Sequence, residues 1–192
     1  MSTTTFTSAE ASADQDGLMH GVSAQELQVI GEQCMEAKSK AYCPYSLFRV
    51  GASVLLDATL SPSPNPAATS YPSSHVITGA NVENAAYPVG TCAERVALGT
   101  AVHLGYYRAG AFKAVGVATD MEDEFCSPCG MCRQFMREFL GLETPVFMFS
   151  KQGKFIVRTM GELLPLSFGP HVLPPREEMQ KVPDADQANK TA

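Results

Sequence analysis

Apolar residues recur at helical spacing through Leu27, Ile30, Cys34, Met35 and Ala41, behind a Ser23 able to cap a helix and a Glu26 that completes a capping box. The pattern predicts a helix from Ser23 to about Lys40, with Pro44 stopping it. From Phe48 to Leu56 the chain is almost continuously apolar or small, the signature of a mostly buried strand. Further strands are predicted at His75 to Val82, Phe112 to Thr119, Val146 to Phe149 and Phe155 to Val157, the last after a Gln152-Gly153 turn. Helices are predicted at about Cys92 to Leu104, Cys129 to Leu140 and Met160 to Leu163. Alternating strands and helices place the chain in the α/β class, as a three-layer α/β/α sandwich around a central five-stranded mixed sheet.

Outside those elements the polarity changes. Residues 1–22 are Ser, Thr, Ala and acids, which bury too little apolar surface to offset chain entropy, so a disordered, dispensable tail is expected. Pro62, Pro64, Pro66 and Pro72 among polar residues make 58–74 a long surface loop. A single domain over 23–170 and a polar tail over 171–192 complete the organisation. The 192 residues suit one domain, and a 45% hydrophobic content suffices for a sizeable core. Fourteen basic residues against 20 acidic ones give a formal charge of -6, which argues against a nucleic-acid partner and for a small uncharged substrate. No Lys or Arg precedes Lys38, unlike a signal or transit peptide, and no stretch suits a bilayer. A cytoplasmic enzyme with no membrane partner is expected. Six cysteines in such a chain point to metal or redox chemistry rather than a disulfide framework.

The chemistry concentrates in two clusters, Thr91-Cys92-Ala93-Glu94-Arg95 and Ser127-Pro128-Cys129-Gly130-Met131-Cys132-Arg133-Gln134. Two thiolates at one helix start and a third from another helix can hold zinc with its fourth tetrahedral position open. Glu94, two residues from a ligand, is then a candidate proton shuttle. Both motifs fall at predicted helix starts, where backbone N–H groups favour thiolate. Three thiolates against one divalent cation leave a net charge of -1, so Arg95 is a candidate to hydrogen-bond the sulfurs and withdraw electron density. Spacing alone leaves the ligand pair open, because Cys126 extends the run to Cys126-x-x-Cys129-x-x-Cys132. An iron–sulfur cluster with Cys92 as fourth ligand and a structural zinc are the rival readings. Cys34 and Cys43 read as ordinary core or surface residues.

The run Asn81-Val82-Glu83-Asn84-Ala85-Ala86-Tyr87-Pro88-x-Gly90-x-Cys92-Ala93-Glu94-Arg95, followed by Pro128-Cys129-Gly130-x-Cys132-Arg133-Gln134, resembles the small homotetrameric cytidine deaminase family. Tyr42-x-Pro44-Tyr45-Ser46-x-Phe48-x-Val50-Gly51 and Glu162-Leu163-Leu164-Pro165-x-x-Phe168 extend the likeness over roughly Ser23 to Phe168. The resemblance implies one zinc ion per chain on Cys92, Cys129 and Cys132, with Cys126 left out. It implies hydrolysis of cytidine and 2'-deoxycytidine to the uracil nucleosides and ammonia, in pyrimidine salvage. Glu94 would move a proton from the activated water to N3 of cytosine as C4 is attacked, then protonate the departing amine. Ala93 N–H would address the base and the Ser127 carbonyl the leaving amino group. Asn81 and Glu83 would hydrogen-bond the ribose 3'-hydroxyl, and Phe48 would stack beside the nucleoside. Tyr87 and Phe168 resemble residues that reach a neighbouring subunit's pocket, which implies a homotetramer with shared sites. The Pro/Ser-rich 58–74 segment replaces the family's usual tight hairpin.

A deaminase of a cytosine-containing antibiotic nucleoside shares the metal motif but is not expected to share Asn81-x-Glu83-Asn84. An editing deaminase fits less well, since the chain is acidic and has Cys92 where such editors usually have His. From another class, a structural zinc module would normally be closed by a fourth protein ligand, and would have no activity for Glu94 to support.

Overall fold

Ser23 caps α1 (Ala24–Lys38) as its spacing predicts, and the reciprocal Ser23–Glu26 capping box is formed. It does so in a computed structural model that describes residues 6–8, 17–60, 75–122 and 124–174. Among the described residues the strands are β1 (Thr7–Ser8), β2 (Val50–Leu56), β3 (Val76–Ala80), β4 (Phe112–Thr119), β5 (Pro145–Phe149) and β6 (Lys154–Thr159). They form one sheet in the order β1-β6-β5-β4-β2-β3. The β1–β6 and β4–β5 pairs are parallel and the others antiparallel, so the sheet is mixed. The remaining helices are α2 (Ala93–His103), α3 (Gly130–Phe139) and α4 (Met160–Leu163).

Both sheet faces need cover, and two apolar clusters supply it. On one side Ile30 and Cys34 of α1 pack with Leu55, Ala114, Phe147, Phe149 and Phe155. On the other, Ala97, Leu98 and Ala101 of α2, Cys132 and Met136 of α3 and Met160 of α4 pack with Val54, Val115, Val117 and Met148. This is the expected three-layer α/β/α arrangement. Two glycines set how closely helix and sheet approach. A Cβ on Gly51 would overlap the α1 backbone at Cys34 and Lys38, and one on Gly79 would overlap the α2 backbone at Ala93 and Ala97. Gly79 thus lets the first turn of α2 lie directly on β3, the constraint that seats the site below.

Six strands are present where five were expected, and the extra one comes from the segment read as a disordered tail. Thr7 and Ser8 pair with Lys154 and Phe155. Phe6 supplies the missing apolar anchor: its ring lies over Gly31 and meets Phe149 edge to face, with centroids 5.0 Å apart. Met19 and Val22 also exchange both backbone hydrogen bonds, and Val22 is buried. At the other end, Pro170–Val172 forms a 3-10 turn, and His171 contacts Arg137 at 2.7 Å. Of the 58–74 loop, positions 61–74 lie outside the described residues, as do 1–5 and 9–16 of the N-terminal tail and 175–192 of the C-terminal one.

Phe48 also differs from expectation, because β2 begins at Val50 and Phe48 lies in the preceding loop, 38% exposed. Leu47 follows a turn at 44–46 and has φ of 57°. Removing the Phe6 ring tests whether the N-terminal segment is dispensable. Phe6→Ala is expected to lower unfolding free energy by about 1–2 kcal/mol, read by urea denaturation. A midpoint equal to that of the parent chain would restore the dispensable-tail reading.

Candidate metal centre and active site

Cys92 is the N-cap of α2 and Cys129 the N-cap of α3, both with extended φ/ψ, while Cys132 sits in the first turn of α3. The helices pack so that the three sulfurs all lie within 4.8 Å of one another, with Cys92 and Cys129 3.9 Å apart. Sulfurs on a tetrahedral zinc with bonds of about 2.3 Å stand about 3.8 Å apart, so the triad fits such an ion. The partial positive charge of a helix N-terminus favours thiolate at both N-cap positions, although neither Cys92 nor Cys129 accepts a capping hydrogen bond.

The electrostatics match a site built for a cation. The hydrogen bond with Cys132, together with Arg95 and Cys129, holds the Cys92 thiol down to about 5 against the opposing effect of burial. Cys132 is correspondingly raised, chiefly by sharing its proton with Cys92. Arg95 Nη2 lies 3.9 Å from the Cys92 sulfur and donates to the Gly90 carbonyl at 3.2 Å. Glu94, the second residue of α2, is only 3% exposed, and burial is the main cause that pushes its carboxyl above the ordinary carboxylate range. Its Oε2 is buried without a hydrogen-bond partner, as is Arg95 Nε. A buried carboxylate oxygen beside three thiols is costly unless something else meets it, which fits a metal-site water.

The remaining predicted residues are spread over several elements. Ala93 is buried and opens α2, so its N–H is one an α-helix leaves without an internal acceptor. Ser127 is exposed just before α3, and its hydroxyl accepts from Arg133 Nη2 at 2.8 Å. An open cleft of about 310 Å³ is lined by Tyr45, Ser46, Glu83, Asn84, Tyr87 and Gly90. It brings Glu83 and Tyr87 together, whereas Phe48 and Phe168 are not part of its lining. Tyr87 stands in a 3-10 turn with its ring 5.8 Å from that of Tyr45. Phe168 is exposed, and its carbonyl accepts from Gln134 of α3 at 3.1 Å.

Asn81 and Glu83 already have partners within the chain. Asn81 Nδ2 donates to the Phe48 carbonyl at 2.9 Å, and its Oδ1 accepts from Val50 N–H at 2.8 Å. The Glu83 carboxylate accepts from Tyr45 N–H at 2.9 Å, Ser46 N–H at 3.2 Å and the Ser46 hydroxyl. The hydroxyl contact is the main cause holding the Glu83 carboxyl below its ordinary range. Arg133 had no role assigned from sequence, although it stands inside the second motif. It donates to the carbonyls of Pro128 at 2.7 Å and Leu163 at 2.8 Å, clamping the loop before α3 to α4. Its position four residues after Cys129 was visible; those distant acceptors were not.

Residues 24–148 match the model of the cytidine and deoxycytidylate deaminase zinc-binding region. A cytidine deaminase of Sporosarcina psychrophila is 37% identical over 134 residues, covering 69% of this chain and 84% of that protein. One from Halalkalibacterium halodurans is 35% identical over 142 residues, covering 73% and 92%. The crystal structure of cytidine deaminase from Burkholderia pseudomallei superposes with a TM-score of 0.61 at 36% identity, covering 73% of this chain and 97% of that one. The fold and site define a zinc hydrolase of the α/β class, and the chain belongs to the cytidine deaminase family.

The thiol assignments predict a measurable asymmetry. In metal-free protein, alkylation of Cys92 by iodoacetamide should follow a titration centred at about 5, the thiolate being present above that pH and lost below it. Cys132 should remain unmodified, and added zinc should protect Cys92. Mass spectrometry of the modified peptides reads this directly, and a Cys92 midpoint at the ordinary thiol value of about 8.5 would refute the arrangement.

Proposed function

We propose that the protein catalyses hydrolytic deamination of cytidine and 2'-deoxycytidine, giving the uracil nucleosides and ammonia in pyrimidine salvage. The observation that carries this reading is the buried, unpartnered Glu94 carboxylate oxygen beside the convergent Cys92–Cys129–Cys132 triad. Cys92, Cys129 and Cys132 would hold the zinc ion, which when bound would supply the Lewis acidity that makes water a better proton donor and nucleophile at the site.

Glu94 accepts the proton of the water attacking C4, delivers it to N3 of cytosine, and later carries a proton to the departing amine. Burial raises its proton affinity, which suits a group that must both take and return a proton near neutral pH. Ala93 N–H hydrogen-bonds the base, and the Ser127 carbonyl accepts from the leaving amino group. Arg95 hydrogen-bonds the thiolate of Cys92, drawing charge from the sulfur. Phe48 packs beside the nucleoside. Asn81 and Glu83 recognise the 3'-hydroxyl through acceptor capacity left beyond their contacts with residues 45–50.

Tyr87 and Phe168 complete a neighbouring subunit's pocket in a homotetramer. The exposure of both aromatic rings supports their contact with other copies. Six free cysteines support residence in the reducing cytoplasm, and no helix of the described residues is long and apolar enough to cross a membrane.

Ultraviolet absorbance with cytidine, 2'-deoxycytidine and free cytosine tests the reading. Turnover of both nucleosides but not the base is expected, with about one zinc per chain. Bound zinc without turnover of either nucleoside would overturn it. Glu94→Gln should retain zinc and fold while losing at least about a hundredfold in kcat, the scale of a positioned acid–base group. Activity preserved in that variant would remove Glu94 from the chemistry.

A further inference from the structure

Phe48 is held by contacts that no strand ladder provides. It precedes β2, and Leu47 before it has φ of 57°, a left-handed backbone uncommon for leucine. Two side chains hold its peptide groups: Asn81 donates to the Phe48 carbonyl, and Ser46, itself bound to Glu83, accepts from Phe48 N–H at 3.0 Å. The third acts through the next residue. Arg49 Nε and Nη2 donate to the two carboxylate oxygens of Asp120 at 2.7 and 3.1 Å, a forked geometry that fixes direction as well as distance.

Asp120 is itself anchored. It directly follows β4, whose last residue, Thr119, pairs with Val50. Lys38, buried at the end of α1, lies 2.9 Å from Asp120 Oδ1 and donates to the Thr119 carbonyl at 3.0 Å. A buried lysine requires a partner of this kind, so the carboxylate is held before Arg49 reaches it. The order of dependence runs from α1 through Asp120 to Arg49, and from Arg49 to the peptide that joins Phe48 to β2.

We propose that the Arg49–Asp120 pair, anchored on Lys38, is a positioning latch that sets where the Phe48 ring stands and so how tightly the nucleoside is held. The inference rests on the proposed role of Phe48 as a substrate contact. Arg49 and Asp120 spend their charges on each other and on Lys38, so the latch acts on binding rather than on proton transfer at Glu94.

Steady-state kinetics with cytidine test it, using Arg49→Gln, Arg49→Lys, Phe48→Ala and the Phe48→Ala/Arg49→Gln double variant, each with a thermal melt. Arg49 is about half exposed, and its replacement leaves the Lys38–Asp120 pair in place. Arg49→Gln should raise KM about three- to fivefold, with kcat within about twofold of the parent value and an unchanged melting temperature. Arg49→Lys keeps the charge but not the fork, and should fall between. Phe48→Ala should raise KM at least as far, and Arg49→Gln should add nothing in that background. A parent-like KM for Arg49→Gln alongside an impaired Phe48→Ala would overturn the latch alone. So would an Arg49→Gln effect of full size in the Phe48→Ala background. A parent-like Phe48→Ala would remove the substrate contact itself, and the latch with it.

Discussion

Everything at the site depends on bringing three sulfurs from two helices within reach of one cation. Thiolates repel one another, so they converge only where the backbone compensates. Two helix N-termini do so, with Cys92 and Cys129 at the N-cap positions of α2 and α3. The convergence depends on how closely α2 lies on the sheet. At Gly79 the strand and the first turn of the helix are in backbone contact, leaving no space for even a methyl group. Core packing on that face, through Ala97, Leu98, Cys132 and Met136, then holds the two helices in their relative position.

The same packing gives Glu94 its character. Position two of a helix places its side chain beside the Cys92 sulfur, and burial removes the water that would stabilise its charge. A carboxyl with raised proton affinity, an oxygen without a protein partner and an adjacent metal-binding triad form a single electrostatic unit. The Cys92 thiol moves in the opposite direction because hydrogen bonds from its neighbours stabilise its anion.

Beyond the end of β3, polar side chains do structural duty. Asn81 and Glu83 lie just beyond β3 and hold the 45–50 segment in a shape that strand pairing does not enforce. The shape of the loop before β2 therefore depends on that amide and that carboxylate. Arg133 plays a comparable part at the other motif, joining the Ser127–Pro128 turn to α4.

The order of helices and strands was legible in the chain, because a 3.6-residue or continuous apolar pattern reflects which faces must be buried. The Ser23 capping box and β4 were recovered at the residues expected. The metal motif was legible because its ligands are local pairs at helix starts, and the choice of Cys129 and Cys132 over Cys126 came from resemblance to a family. The sixth strand was not legible: Thr7–Ser8 has no periodicity, and Phe6 gains its anchor only where Gly31 and Phe149, far apart in sequence, meet. Nor was the placement of Phe48, which looked like the start of a strand until the left-handed Leu47 and the side chains of Asn81, Glu83 and Asp120 defined a loop. By itself the sequence determined the elements, the ligand types and the carboxylate beside them, since these follow from short-range pattern. Only the tertiary structure decided which polar groups meet, because hydrogen bonds and burial depend on contacts that sequence neighbours do not specify.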